Sequence, residues 1–208
     1  MEWDLYAQYC FARMNGLRSD SFSYLDQFLK IAGDWTFDER KKFTCFLLEY
    51  IEACDEPDYD IFPHPLYENL IKPTLNKWCE SEKMDSKPFR WSGSQDVLLK
   101  ALEINPFDDK ARETLLQKWM HQIYFSVHHL PDGYIGDINA DLPLLDKIKE
   151  QIGLLQNSEK QKDFTQSMAE DEELILNYKE WKKSGADNFR QWGIDHKKKV
   201  GYRYSYKD

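Results

Sequence analysis

Apolar residues recur along most of this chain at steps of three and four, the spacing that gathers side chains on one face of an α-helix. Leu5, Tyr9 and Ala12 mark residues 4–14, and Phe22, Leu25 and Leu29 mark residues 21–31. Asn15-Gly16 between them is a natural helix stop, so the two segments read as a helical hairpin. Thr36-Phe-Asp-Glu39 has the form of a capping box: the threonine hydroxyl accepts an amide hydrogen and the glutamate reaches back to the threonine amide. The helix it opens, about 37–54, carries Phe43, Phe46, Leu47, Tyr50, Ile51 and Cys54. So wide an apolar surface predicts a central helix lying between others.

Asp55-Glu-Pro-Asp-Tyr-Asp60 and Phe62-Pro-His-Pro65 predict loop, because each proline lacks a donor and biases its predecessor away from helix, while Pro65 can open the next one. Leu66, Leu70, Ile71, Leu75 and Trp78 keep helical spacing around Pro73, so either the helix kinks there or a new one starts. Residues 81–93 read as a connection pinned to the core by Phe89 and Trp91, and as a soft internal boundary. A helix over 94–105 stops at Asn105-Pro106, and Asp108 or Asp109 can cap its successor. That successor carries Leu116, Met120, Ile123, Val127 and Leu130, and Pro131-Asp-Gly133 breaks it. Leu142, Leu145, Ile148, Ile152 and Leu155 mark another helix, with Asn139 or Asp141 as its cap. Phe164, Met168, Ile175, Tyr178 and Trp181 mark one more, ending at Ser184-Gly185, and Phe189 and Trp192 a short last one. The expected fold is all-α, eight or nine helices packed as antiparallel hairpins in one domain, residues 1–196, with a basic, tyrosine-rich tail over 197–208. Only Val200–Tyr206 alternates like a strand.

Composition changes this picture in two ways. The 208 residues suffice for a core without staples, and 12 Phe, 12 Tyr and 7 Trp contradict the disorder that 31% charged residues would suggest. Net charge is -9, which disfavours non-specific binding to nucleic acid or to an anionic membrane and favours a basic partner. The acidity is concentrated early: residues 1–60 hold 13 Asp or Glu against 6 Lys or Arg. From Lys179 onward the sign reverses, with 9 Lys or Arg against 4 Asp or Glu, and Tyr202, Tyr204 and Tyr206 interleaved. Such a tail can bind single strands by charge and stacking, but folding back onto the acidic N-terminal half is the simpler expectation. The N-terminus has no positive segment before an apolar run, and no stretch approaches the roughly 20 apolar residues that span a bilayer, so a cytoplasmic location is expected.

Little in the chain points to chemistry. Phosphate-binding loops, dinucleotide-binding turns and nucleophile elbows have no match. Cys10, Cys45, Cys54 and Cys79 are scattered and read as reduced core thiols. No cofactor is expected. His121, His128 and His129 with Asp132 and Asp137 form the one group with metal-ligand chemistry, and they are the basis of an alternative reading as a metal-dependent enzyme. Yet His121 and His128 lie two helical turns apart, about 10 Å along the axis, too far to share an ion easily. The other expectation is that these histidines end a helix and satisfy its last carbonyls.

Trp78, Ala101, Pro106 and Ala111-Arg112 resemble the end of one tetratricopeptide repeat and the start of another, over about residues 78–119. Ser81 and Glu82 depart from that repeat's leucine and glycine, Ser94 takes its small second-helix position, and no second copy at the roughly 34-residue period is present. The resemblance implies stacked helical hairpins and a protein-binding scaffold. In acidity, aromatic content and the segment Val127-His-His-Leu-Pro-Asp-Gly-Tyr-Ile-Gly-Asp137, the chain is similar in general character to bacterial immunity proteins. That resemblance implies an inhibitor that covers the active or substrate-binding surface of a basic toxin domain. The residues expected to meet the partner are Asp55, Glu56, Asp58 and Asp60 in the acidic loop and His128, His129, Asp132, Tyr134 and Asp137 in the later one. A general helical adaptor is the remaining alternative.

Overall fold

A computed structural model describes residues 3–54 and 61–202. Among the described residues there are ten helices and no strand, the all-α fold the periodicity predicts. They are α1 (Asp4–Met14), α2 (Arg18–Gly33), α3 (Phe37–Ala53), α4 (residues 64–81), α5 (Ser86–Ser92), α6 (Gln95–Ile104), α7 (Asp109–Val127), α8 (Ile138–Gly153), α9 (Ser158–Ser184) and α10 (Phe189–His196). The chain divides into two compact units, residues 1–104 and 105–208. The division falls at the Asn105-Pro106 stop, while 81–93 lies inside the first unit.

In the first unit, α1 and α2 form the expected hairpin, turned by Gly16 at φ +72°, a left-handed conformation that favours glycine. The Thr36–Glu39 capping box is present in both directions, with Thr36 N–H donating to Glu39 Oε2 at 2.7 Å and Glu39 N–H to Thr36 Oγ1 at 3.3 Å. Phe43 of α3 is the hub of the core, with ring centroids of Trp3, Tyr6, Phe28 and Trp35 all within 6 Å of its own. Leu47 and Leu48 pack with Leu66, Leu70, Ile71, Leu75 and Trp78 of α4 in the same core. Regular α-helix within α4 begins again at Lys72, with Pro73 in its first turn, one of the two outcomes the spacing leaves open. A wider π turn over Tyr67–Ile71 precedes the proline, relieving the clash its ring would make with the carbonyl four residues back.

The stretch 81–93 is not a mere connection. It holds α5, which Asp85 opens by accepting the amide hydrogen of Lys87 at 3.1 Å, and which Gly93 ends at φ +76°. Its seven residues present too little apolar periodicity to mark it. Trp91 pins it as expected, its indole donating to Glu52 at 2.8 Å and packing near Trp78, while Lys87 pairs with Glu49. None of the four cysteines is in a disulfide, and all are half-buried, at the margin of the core and not inside it. Burial pushes the Cys45 and Cys79 thiols upward.

In the second unit Asp108 caps α7 by accepting from Ala111 N–H at 3.1 Å. The buried Arg112 guanidinium, lowered by desolvation, donates to the Pro106 carbonyl and to Gln151 of α8. Leu115, Leu116, Trp119, Ile123 and Val127 are the buried face of α7; Met120, expected there, is only half-buried. The cap of α8 is Asp137, which accepts from Asn139 N–H at 2.9 Å, not Asn139 or Asp141. Residues 197–202 lie along acidic α9, with Lys199 paired to Glu170, Lys198 to Glu180, and Tyr202 donating to Asp171. Residues 200–202 are not in a strand; residues 203–206 lie outside the described residues.

Candidate functional site

The first unit carries a groove of about 690 Å³ between α1 and α3. That size falls within the roughly 300–1,000 Å³ of ordinary binding sites. On this side it is lined by Trp3, just ahead of α1, by Asp4, and by Ala7, Cys10 and Met14 at steps of three and four. They lie beside the buried stripe of Tyr6, Tyr9 and Ala12, so α1 is apolar over two neighbouring faces and spends only one on the core. On α3 the lining positions Lys42, Phe46 and Tyr50 step by four, next to buried Phe43 and Leu47. Tyr6 and Leu47 form the floor and Ile61 also lines it.

The polar groups of the groove are largely committed. The Tyr6 hydroxyl donates to the Ile61 carbonyl, and burial, then Cys10, raises its pKa far above the usual phenol range, so it stays protonated. Lys42 Nζ lies 6.0 Å from the Trp3 ring centroid, and Trp3 packs on Phe46 at 4.8 Å. What remains is apolar area: Phe46 is 48% exposed, Tyr50 53% and Met14 78%. Phe11 of α1 and Leu17 just beyond it are also exposed. The arrangement is suited to holding an apolar face by large side chains.

The sequence-based expectation for α3 was burial between other helices. Its core half is buried, but Phe46 and Tyr50 are left uncovered, and periodicity cannot say which half of a wide apolar surface finds a partner. The signal that marks the groove is the second stripe on α1, since a helix at the edge of a unit needs only one.

The residues expected to contact a partner fall in different places. Asp55, Glu56, Asp58 and Asp60 lie outside the described residues. His128 ends α7, its Nδ1 2.8 Å from the Phe125 carbonyl, as a helix-ending histidine should be, and its ring is 4.2 Å from that of His129. His121 and His128 do not converge, because the ring of Tyr124 stacks between them at 6.4 and 5.5 Å. Asp132 pairs with Arg190 at 2.9 Å. Tyr134 donates to the buried Asp141 at 2.6 Å and stacks on Tyr178, and Asp137 is spent on the α8 cap. Among the described residues no three His, Cys, Asp or Glu side chains come together so as to hold a metal ion. No described helix is long and apolar enough to cross a membrane. No family model, curated protein or solved structure matches the chain.

Proposed function

We propose that this protein binds another protein and acts as an immunity-type inhibitor, covering the active or substrate-binding surface of a basic toxin domain. The observation that carries the reading is the aromatic groove of the first unit, set in the part of the chain where negative charge is concentrated. Residues 1–104 hold 19 Asp or Glu against 12 Lys or Arg, a balance of -7, whereas residues 105–208 hold 18 against 16. Trp, Tyr, Phe and Met are the residue types that dominate the centres of protein interfaces, and Trp3, Tyr50, Phe46 and Met14 meet in this one groove. The two features divide the work. Net negative charge draws a cationic partner from a distance and orients it, while burial of the aromatic side chains slows its departure.

The test is binding to, and protection against, the basic toxin domain encoded beside this chain's own gene. Nanomolar affinity, with full loss of the toxin's activity at equimolar inhibitor, supports the reading. Normal toxin activity in the presence of excess protein would end it.

A further inference from the structure

We propose that residues 197–202 form a charge-fastened strap that lifts from α9 as a unit while α9 and α10 stay folded, switching the face beneath it from neutralised to acidic. Three side chains fasten it: Lys198 pairs with Glu180 at 3.4 Å, Lys199 pairs with Glu170, and Tyr202 donates to Asp171. The four side chains of the two ion pairs are between 34% and 55% exposed. Pairs so placed contribute little each and are screened by salt. The backbone adds two bonds of 2.8 Å, from Lys198 N–H to the Gly193 carbonyl and from the buried Asn177 amide to the Lys199 carbonyl. Against these stands the hinge, where Lys197 turns the chain back from α10 at φ +55°, a left-handed conformation that costs energy in a residue with a Cβ. Small gains set against strain describe a segment that opens locally, at a cost below that of global unfolding.

Closure hides charge as well as area. Lys198 lines a cleft of about 500 Å³ along α9, together with Glu172, Glu173 and Glu180. The Tyr202 ring lies 5.4 Å from that of Tyr124 on α7, and its hydroxyl reaches Asp171, which is 7% exposed. When the strap lifts, Lys198 and Lys199 leave and Glu170, Asp171 and Glu180 keep their charge without them. Val200, the strap's one aliphatic side chain, rests on Gly193 of α10, where a Cβ would stand 2.3 Å from Val200 Cγ1.

The experiment is amide hydrogen exchange of the full chain at neutral pH in about 0.05 and 0.5 M sodium chloride, with limited tryptic cleavage after Lys199 as a second readout. Glu170→Gln and Glu180→Gln remove the charge and keep the shape of two exposed helical residues. Glu172→Gln makes the same change on the same helix, but Glu172 pairs with Lys149 of α8 and is the control. Gly193→Ala opens the strap by contact with Val200, and alanine is the better helix former.

Glu170→Gln and Glu180→Gln should each speed exchange over 198–202, and cleavage after Lys199, about two- to fivefold at low salt. High salt should do the same to the wild type and add little to the double variant. Gly193→Ala should speed both readouts roughly tenfold or more at either salt, and Glu172→Gln should change neither. Throughout, the amides of α9 should keep their wild-type protection. Strap amides that exchange only as slowly as those of α9, indifference to both Glu170→Gln and Glu180→Gln, or an equal effect of Glu172→Gln overturns the proposal. If Gly193→Ala does not fold, the charge variants and salt decide alone.

Discussion

Gly136 shows how tightly one position can be determined by its neighbours. A Cβ there would stand 2.2 Å from Ser126 Oγ and 2.4 Å from Asp141 Oδ2, both on well-packed helices. Gly136→Ala should therefore cost about 1–3 kcal/mol in denaturant unfolding, the usual range for forcing an extra methyl into a packed site. Asp141, 2% exposed, takes the Tyr134 hydroxyl in the same place, which explains why these residues are committed to the fold. Tyr6, Tyr134 and Tyr202 all have raised pKa values, burial being the first cause of each. Since the folded value exceeds the unfolded one of about 10, their contribution is complete below that pH and is lost as pH rises past it. Stability should thus decline progressively as pH rises above about 10, and Tyr134→Phe should flatten part of that decline when denaturation midpoints are compared across the range.

At the level of elements, what is local in the chain is what the sequence displays most clearly. The capping box at Thr36 needs only four consecutive residues, and both of its hydrogen bonds are present. Thr36→Ala should cost about 1 kcal/mol near neutral pH. Glu39 is lowered chiefly by its hydrogen bonds from Thr36, so this stabilisation is present above the ordinary carboxylate range. The difference between wild type and variant in thermal unfolding should shrink as pH falls below about 4. Elements that depend on distant partners were less legible. The helix α5 lacks a long apolar stripe and is fixed by Glu49 and Glu52 of α3, more than thirty residues earlier. The π turn before Pro73 answers a steric conflict that the apolar spacing alone does not resolve. The groove was hidden for the same reason, since an uncovered Phe46 and a buried Phe43 obey one periodicity. The separation of His121 and His128 by two helical turns is legible from their spacing, and the Tyr124 ring stands between them.

For the whole molecule, the informative asymmetry is of net charge between the sequences of its two units. The first unit carries most of the -9 net charge together with the aromatic groove. In the second, the basic segment 197–199 is partly neutralised by Glu170 and Glu180 of α9. Association with a basic partner should accordingly slow several-fold as salt rises from about 0.05 to 0.5 M, with dissociation changing much less, as stopped-flow kinetics would read. The most direct test of the central claim is amide hydrogen exchange of the full chain with and without its basic partner domain. The account predicts added protection over residues 4–14 and 42–50, with residues 109–127 and 189–196 unchanged. Protection confined to the second unit, with α1 and α3 exchanging as in the free protein, would contradict it.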